Sequence, residues 1–149
     1  MNPSLPVRWR VRAVAAATVI PPLLSVTSFA RVASWLGGEP DAAPAEADGL
    51  DDMSLARWVD GLLRRLRGPW RHTCLKRAAV LYHLLRRAGR PVELCIGVRR
   101  NGGGALAAHA WLVRDGIPYL EREPAAAQTH TVIARFPEGA TSQPCTQRS

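Results

Sequence analysis

What this chain of 149 residues has little of narrows it first. Cysteine occurs three times, at 74, 95 and 145. An odd, scattered set is no disulfide framework, and reduced thiols in a cytosolic protein are the expectation. No C-x-x-C or H-x-x-x-H spacing occurs. His72, Cys74, Cys95 and His109 are therefore ligand types without a zinc pattern, and no metal is expected. Lysine is nearly absent: 19 of the 20 basic residues are arginine. In an alanine-rich chain this is what a GC-rich genome writes on solvated helix faces. Acids are missing from residues 1–36, which hold four arginines, and bases are missing from 37–52, which hold six acids. Residues 53–100 carry twelve bases against two acids, so the net charge of +8 sits in the middle. Such a field attracts acidic partners. No aromatic-interleaved basic groove or nucleic-acid motif accompanies it, so nucleic acid is not expected. A long unbroken apolar run is also missing. Ala13 to Ala30 carry no charge, but Pro21-Pro22 interrupt them and Thr18, Ser25, Thr27 and Ser28 dilute them. A membrane span is unattractive on both counts, and membrane contact is not expected.

A hydrophobic content of 47% excludes a generally disordered chain, and the length suits one domain with a real core. Residues 1–36 read as apolar and basic helices. As a targeting segment they would be a basic n-region, an apolar h-region and a cleavage site at Ser28-Phe29-Ala30. As structure they are two short helices broken at Pro21-Pro22, the second with Val26, Phe29, Val32, Ala33 and Leu36 on one face. The structural reading is preferred. Residues 37–52 form an acidic linker with two prolines, three glycines and no periodicity. The domain proper is expected over 53–136, followed by a disordered tail over 137–149.

Within that domain Ser54 is a plausible cap for a helix with Leu55, Trp58, Val59, Leu62, Leu63 and Leu66 on one stripe, stopped by Gly68-Pro69. Thr73 caps the next helix, Gly89 takes its C′ position, and Pro91 prevents continuation. Val92, Leu94, Ile96 and Val98 alternate with Glu93, Cys95, Gly97 and Arg99, as in a strand with one buried face. Ala107–Val113 and Ile117–Glu121 form a hairpin around Arg114-Asp115-Gly116. Thr131–Phe136 is a last short strand or helix.

Two residues in this layout carry chemistry. Cys74 lies in the first turn of a capped helix, where unpaired N–H groups and the positive dipole end favour a thiolate. His109 lies on a strand 35 residues later. A three-residue turn with Gly116 left-handed makes Val113 face Ile117, and therefore makes His109 face Glu121. A two-residue Asp-Gly turn would move Glu121 opposite Ala110. A thiol enzyme needs a nucleophile, a base, a group orienting the base and an oxyanion hole. Cys74, His109 and Glu121 fill the first three roles. The Cys74 backbone N–H, with His72 or Trp70 from the preceding loop, would supply the fourth. Asp115 is the rival acid, but an Asp at a turn tip is usually turn chemistry. A lone cysteine at a helix start is usually a small buried hydrophobe, and a lone strand histidine usually structural. Their joint occurrence with a carboxylate in reach favours catalysis. The fold expected is α+β, papain-like or transglutaminase-like: a cysteine at a helix N-terminus packed on a small antiparallel sheet, with N-terminal helices.

Thr-Cys-Leu-Lys-Arg-Ala, then Leu-Leu-Arg-Arg-Ala-Gly-Arg-Pro-Val-Glu-Leu-Cys-Ile-Gly-Val-Arg, then Ala-His-Ala-Trp-Leu-Val-Arg-Asp-Gly resemble the stand-alone leader peptidase of lasso-peptide biosynthesis, which has a transglutaminase-like fold. The resemblance covers roughly residues 54–136. It implies a Cys-His-Asp triad whose members map onto Cys74, His109 and Glu121, the last a departure from Asp. Lys76 stands where the family often has Pro. The resemblance further implies removal of the leader from a ribosomally made precursor peptide in a bacterial cytoplasm. The implied partners are a small leader-recognition protein and an asparagine-synthetase-like macrolactam cyclase. ATP would be used by that cyclase, and no cofactor by this chain. It also implies that no recognition domain is fused here. The alternatives are a transglutaminase-like acyltransferase or amidase acting on another peptide, and a peptide-binding scaffold with a degenerate site.

Overall fold

Residues 5–36, 49–66, 73–122 and 124–137 are described by the structure, a computed structural model. The expected break at the double proline does not occur. Helix α1 runs from Val7 to Val26 with Pro21 and Pro22 inside it. Each proline removes an N–H that would bond four residues back and crowds that carbonyl, at a cost of about 3 kcal/mol. Tertiary packing offsets this: Ala13, Ala17, Ile20 and Pro21 are all buried. The chain turns instead at Thr27, which is extended (φ −137°, ψ 163°), and α2 follows over Phe29–Leu36. No helix among the described residues is long and apolar enough to cross a membrane.

Helix α3 spans Asp52–Arg65, and its cap is Asp51 rather than Ser54. The Asp51 carboxylate accepts a 2.9 Å hydrogen bond from the Ser54 N–H, and hydrogen bonding by the Ser54 side chain, then by this N–H, holds Asp51 below the usual carboxylate range. A carboxylate also suits the positive end of the helix better than a hydroxyl, which is why the start moves upstream. Ser54 is left inside the helix and buried. Leu55, Val59 and Leu63 are fully buried along the expected stripe, each stabilising by about 1.5–3 kcal/mol. Asp52 ties this helix start to later elements: it accepts from the Tyr119 hydroxyl at 2.7 Å and from Arg90 Nε at 3.2 Å.

Helix α4 spans Cys74–Arg87. Thr73 caps it by accepting from the Lys76 N–H at 3.3 Å. At its end Gly89 is left-handed (φ 72°), with Gly89 N–H donating to the Arg86 carbonyl and Arg90 N–H to the Leu85 carbonyl. Those two bonds satisfy carbonyls the last turn would otherwise orphan, and Pro91 then starts the route into the sheet. α4 is the central helix. Ala79, Val80, Leu81, Tyr82, Leu84 and Leu85 are fully buried, in one cluster with residues of α1, α3 and the sheet.

The sheet has four antiparallel strands in the order β3-β2-β1-β4, with β1 at Glu93–Arg100, β2 at Leu106–Arg114, β3 at Ile117–Tyr119 and β4 at Thr131–Phe136. A short helix, α5, over Pro124–Thr129 precedes β4. Helices plus this small sheet make the α+β arrangement expected. One expectation about β1 changes. Leu94 packs in the main cluster, but Cys95 on the other side is also fully buried, in a second cluster with Trp111, Val113 and Ala127 of α5. The strand is thus covered on both faces because α5 lies over what alternation suggested was the open side.

Candidate active site

The hairpin that carries the imidazole closes differently from the three-residue turn on which the facing of His109 and Glu121 was based. Arg114 pairs with Ile117, Val113 with Pro118 and Leu112 with Tyr119, so the loop is the two residues Asp115-Gly116. Both are left-handed (φ 53° and 77°), the two-residue geometry whose twist matches that of the flanking strands. Continued regularly, this register would set Glu121 opposite Ala110. The strand does not continue. β3 stops at Tyr119, and Leu120 takes a left-handed backbone (φ 54°). The side-chain alternation is broken there, and the Glu121 carboxylate turns back toward β2. His109 Nε2 and Glu121 Oε2 end 3.3 Å apart, with 19% and 8% of their side chains exposed. The other oxygen, Oε1, accepts the Arg122 backbone N–H at 2.8 Å. Glu121 is thus fixed at both oxygens.

Alternation puts His109 on the same side of β2 as Trp111 and Val113. Its ring stacks on Trp111 (centroids 5.7 Å, planes 15° apart), and His130, just before β4, tilts against both at 5.5 and 6.5 Å. Gly97, paired with His109 across β1, makes room for this group. A Cβ there would lie 2.8 Å from the Trp111 ring and 2.9 Å from His130 Cβ. Neither His130 nor Gly97 was singled out from the sequence, because neither lies near the site residues in the chain. His130 directly after an apolar helical stretch is the one faint signal.

Cys74 is half-buried at the first position of α4, and Cys95 is buried. The thiol and the imidazole come from different layers. α4 packs on the Ala110 and Leu112 side of β2, and His109 stands on the other. No hydrogen bond joins Cys74 to His109 among the described residues. The two halves are nevertheless tied. Arg77, one turn along α4 from Cys74, donates from Nη2 to the Leu120 carbonyl at 2.9 Å, next to Glu121. The same guanidinium donates from Nε to Asp60 Oδ1 on α3 at 2.7 Å, and Arg122 Nη2 approaches Asp60 Oδ2 at 2.7 Å. Burial pushes the Asp60 carboxyl up, but the hydrogen bonds and charges of Arg77 and Arg122 outweigh it and leave Asp60 below the usual range. Arg77 and Asp60 are two more residues the sequence did not single out. The available hints were an acid inside an apolar, arginine-rich helix and an arginine three residues after the cysteine. Trp70 and His72, the expected oxyanion side chains, and Cys145 lie outside the described residues.

The α+β fold thus carries a thiol at a capped helix start and, in another layer, an imidazole–carboxylate pair on a hairpin. The chain matches the family model of the transglutaminase-like superfamily over residues 6–135 and belongs to that superfamily. Its members typically work through Cys-His-Asp catalysis, as hydrolases or transferases. No curated protein and no solved structure matches the chain.

Proposed function

We propose that this chain is a cysteine peptidase that removes the leader from a ribosomally made lasso precursor peptide. The observation that carries the catalytic part is the 3.3 Å contact between His109 Nε2 and Glu121 Oε2, in a chain whose Cys74 opens a capped helix. The likeness of the Cys74, Leu84–Arg99 and His109 segments to the lasso leader peptidases carries the choice of substrate. With Nε2 facing the carboxylate, Nδ1 is the nitrogen left to serve the thiol. Cys74 Sγ, as thiolate, attacks the scissile carbonyl. The Cys74 N–H, one of the unpaired donors of the helix start, helps hold the oxyanion, with His72 or Trp70 the proposed second donor. The imidazolium gives its proton to the leaving amine, and the acyl group stays on sulfur as a thioester. Water, deprotonated by the same imidazole, then releases the new carboxylate. These steps require the Cys74 end of α4 and the His109 ring, which come from different layers, to be brought together around the substrate. Glu121 keeps the ring oriented and stabilises its cation. A small leader-recognition protein would present the precursor, and an ATP-using, asparagine-synthetase-like cyclase would close the macrolactam afterwards. This chain would use no cofactor and would act in the bacterial cytoplasm.

The superfamily's range leaves a transglutaminase-like acyltransferase as the second reading. Mass spectrometry of a precursor incubated with the chain and its recognition protein separates the two. Hydrolysis yields two fragments whose masses sum to precursor plus one water, whereas transfer yields an amine adduct. Cys74→Ala is expected to abolish either product, while Cys95→Ala and Cys145→Ala process normally. Full processing by Cys74→Ala would sink both readings.

A further inference from the structure

We infer that Arg77, held by Asp60, is the positioning residue of this site: it clamps the Leu120 turn and thereby keeps Glu121 on His109. The inference rests on the reading above, in which that pair orients the base. Leu120 is left-handed (φ 54°), a conformation that leucine adopts only when its surroundings over-determine it. The turn is also what breaks the strand register and delivers Glu121 to the imidazole. Its carbonyl is the one that Arg77 Nη2 takes at 2.9 Å. Arg77 in turn is fixed from α3, through Nε to Asp60 Oδ1 at 2.7 Å and Nη2 to Asp60 Oδ2 at 3.4 Å. Arg122, on the far side of Glu121, meets the same carboxylate at 2.7 Å. Residues 120 and 122 are therefore both anchored to the Asp60–Arg77 pair, and Glu121 is gripped between them.

Arg77 and Asp60 are 8% and 3% exposed, a buried pair whose geometry water cannot readily substitute. A pair serving the fold alone would need only the contact between α3 and α4. The third arm, to Leu120, has no such purpose. Its effect is to tie the helix that starts at Cys74 to the turn that carries the acid, so nucleophile and acid are set in one frame. Only a guanidinium spans all three arms. A lysine offers one compact ammonium and cannot hold carboxylate and carbonyl in the same fork.

The test uses the full chain and iodoacetamide as the probe of Cys74, with ring ¹⁵N spectra of His109 as a second readout. Arg77→Lys is expected to keep the circular dichroism of the fold and to slow Cys74 alkylation about tenfold, a coupling of the size seen within one hydrogen-bond network. Glu121→Gln should slow it at least as much. The double variant should be no slower than Glu121→Gln, because Arg77 acts through Glu121. The His109 ring shifts of Arg77→Lys should move toward those of Glu121→Gln. If Arg77→Lys does not fold, Asp60→Asn, which keeps the shape and drops the charge, carries the same cycle. An unchanged alkylation rate and unchanged ring shifts in Arg77→Lys overturn the inference. Equal slowing by Arg77→Lys in both backgrounds overturns it too, since the effect would then bypass Glu121. If Glu121→Gln alkylates normally while Arg77→Lys still moves the His109 shifts, the clamp stands and the catalytic reading falls.

Discussion

Glu121 is where side-chain chemistry and backbone conformation meet most closely. Its Oε2 faces His109 Nε2, and its Oε1 is occupied by the Arg122 N–H. Glu121→Gln can present its NH₂ group to the ring and favour the wrong tautomer, so precursor turnover should drop by about 10²–10⁴ with the fold intact. Glu121→Asp should retain part of the activity, because the shorter acid must reach from a turn shaped for Glu. Asp115→Asn is the control. Asp115 is 53° in φ, and its side chain is 82% exposed at the turn tip. Asn accepts that backbone equally well, so turnover should be unaltered. Steady-state assays of the three variants decide the matter. A dead Asp115→Asn beside a fully active Glu121→Gln would mean that His109 takes its orientation from another group.

At the scale of elements, the strands β1, β2 and β4 are brought together around one missing side chain. Gly97 is opposite His109, and the Trp111 ring and His130 Cβ fill the space where its Cβ would be. The pairing of β1 with β4 slips at Ile96/Gly97, next to the same crowding. Gly97→Val therefore has nowhere to put its methyls without pushing the Trp111 ring, the His130 Cβ and the Thr131 carbonyl, and a loss of about 1–3 kcal/mol is expected from overpacking. Gly102→Val in the loop between β1 and β2, where nothing lies within 4 Å of the added Cβ, should stay within about 0.5 kcal/mol of the parent. Thermal melts measure the difference, and the near-ultraviolet signal of Trp111 should change only in the first variant. Equal melting points for the two would contradict the close packing of this face.

Three parts of the molecule converge on Asp60: α3 bears it, α4 sends Arg77, and the turn after β3 sends Arg122. Its folded pKa lies below the ordinary value of 3.8, the two arginines overcoming the effect of burial. A depressed carboxyl adds stability above its unfolded pKa, near 3.9, and loses it as pH falls through the lower folded value. The urea midpoint should thus hold steady from about pH 7 to 5 and fall below about pH 4. Asp60→Asn should start lower by roughly 3 kcal/mol, because the buried Arg77 is left without its counter-charge. It should also decline less steeply in acid. Parallel acid limbs for the two proteins would show that Asp60 carries no such linkage.

How much of this was legible depended on how local each signal is. Thr73 as cap, Cys74 in the first turn, Gly89 at the left-handed end and a hairpin around Arg114-Asp115-Gly116, though not its two-residue turn, were readable from the sequence, since each is set by donors, acceptors and φ preferences within a few residues. So were the α+β class and the apolar stripe of α3. The single continuous helix through Pro21-Pro22 was not legible, because the packing that offsets the proline cost comes from residues far along the chain. The burial of Cys95 on the second face of β1 was hidden for the same reason. His109 and Glu121 do stand together as counted from the sequence, but by another route. The hairpin takes the two-residue turn, and a left-handed Leu120, held by Arg77 and Asp60, restores the meeting. The sequence alone determined which groups the site could contain, since residue type and local conformation decide which atoms can donate, accept or attack. The path by which the acid reaches the imidazole was decided only by the tertiary structure, because a strained turn persists only where distant elements hold it.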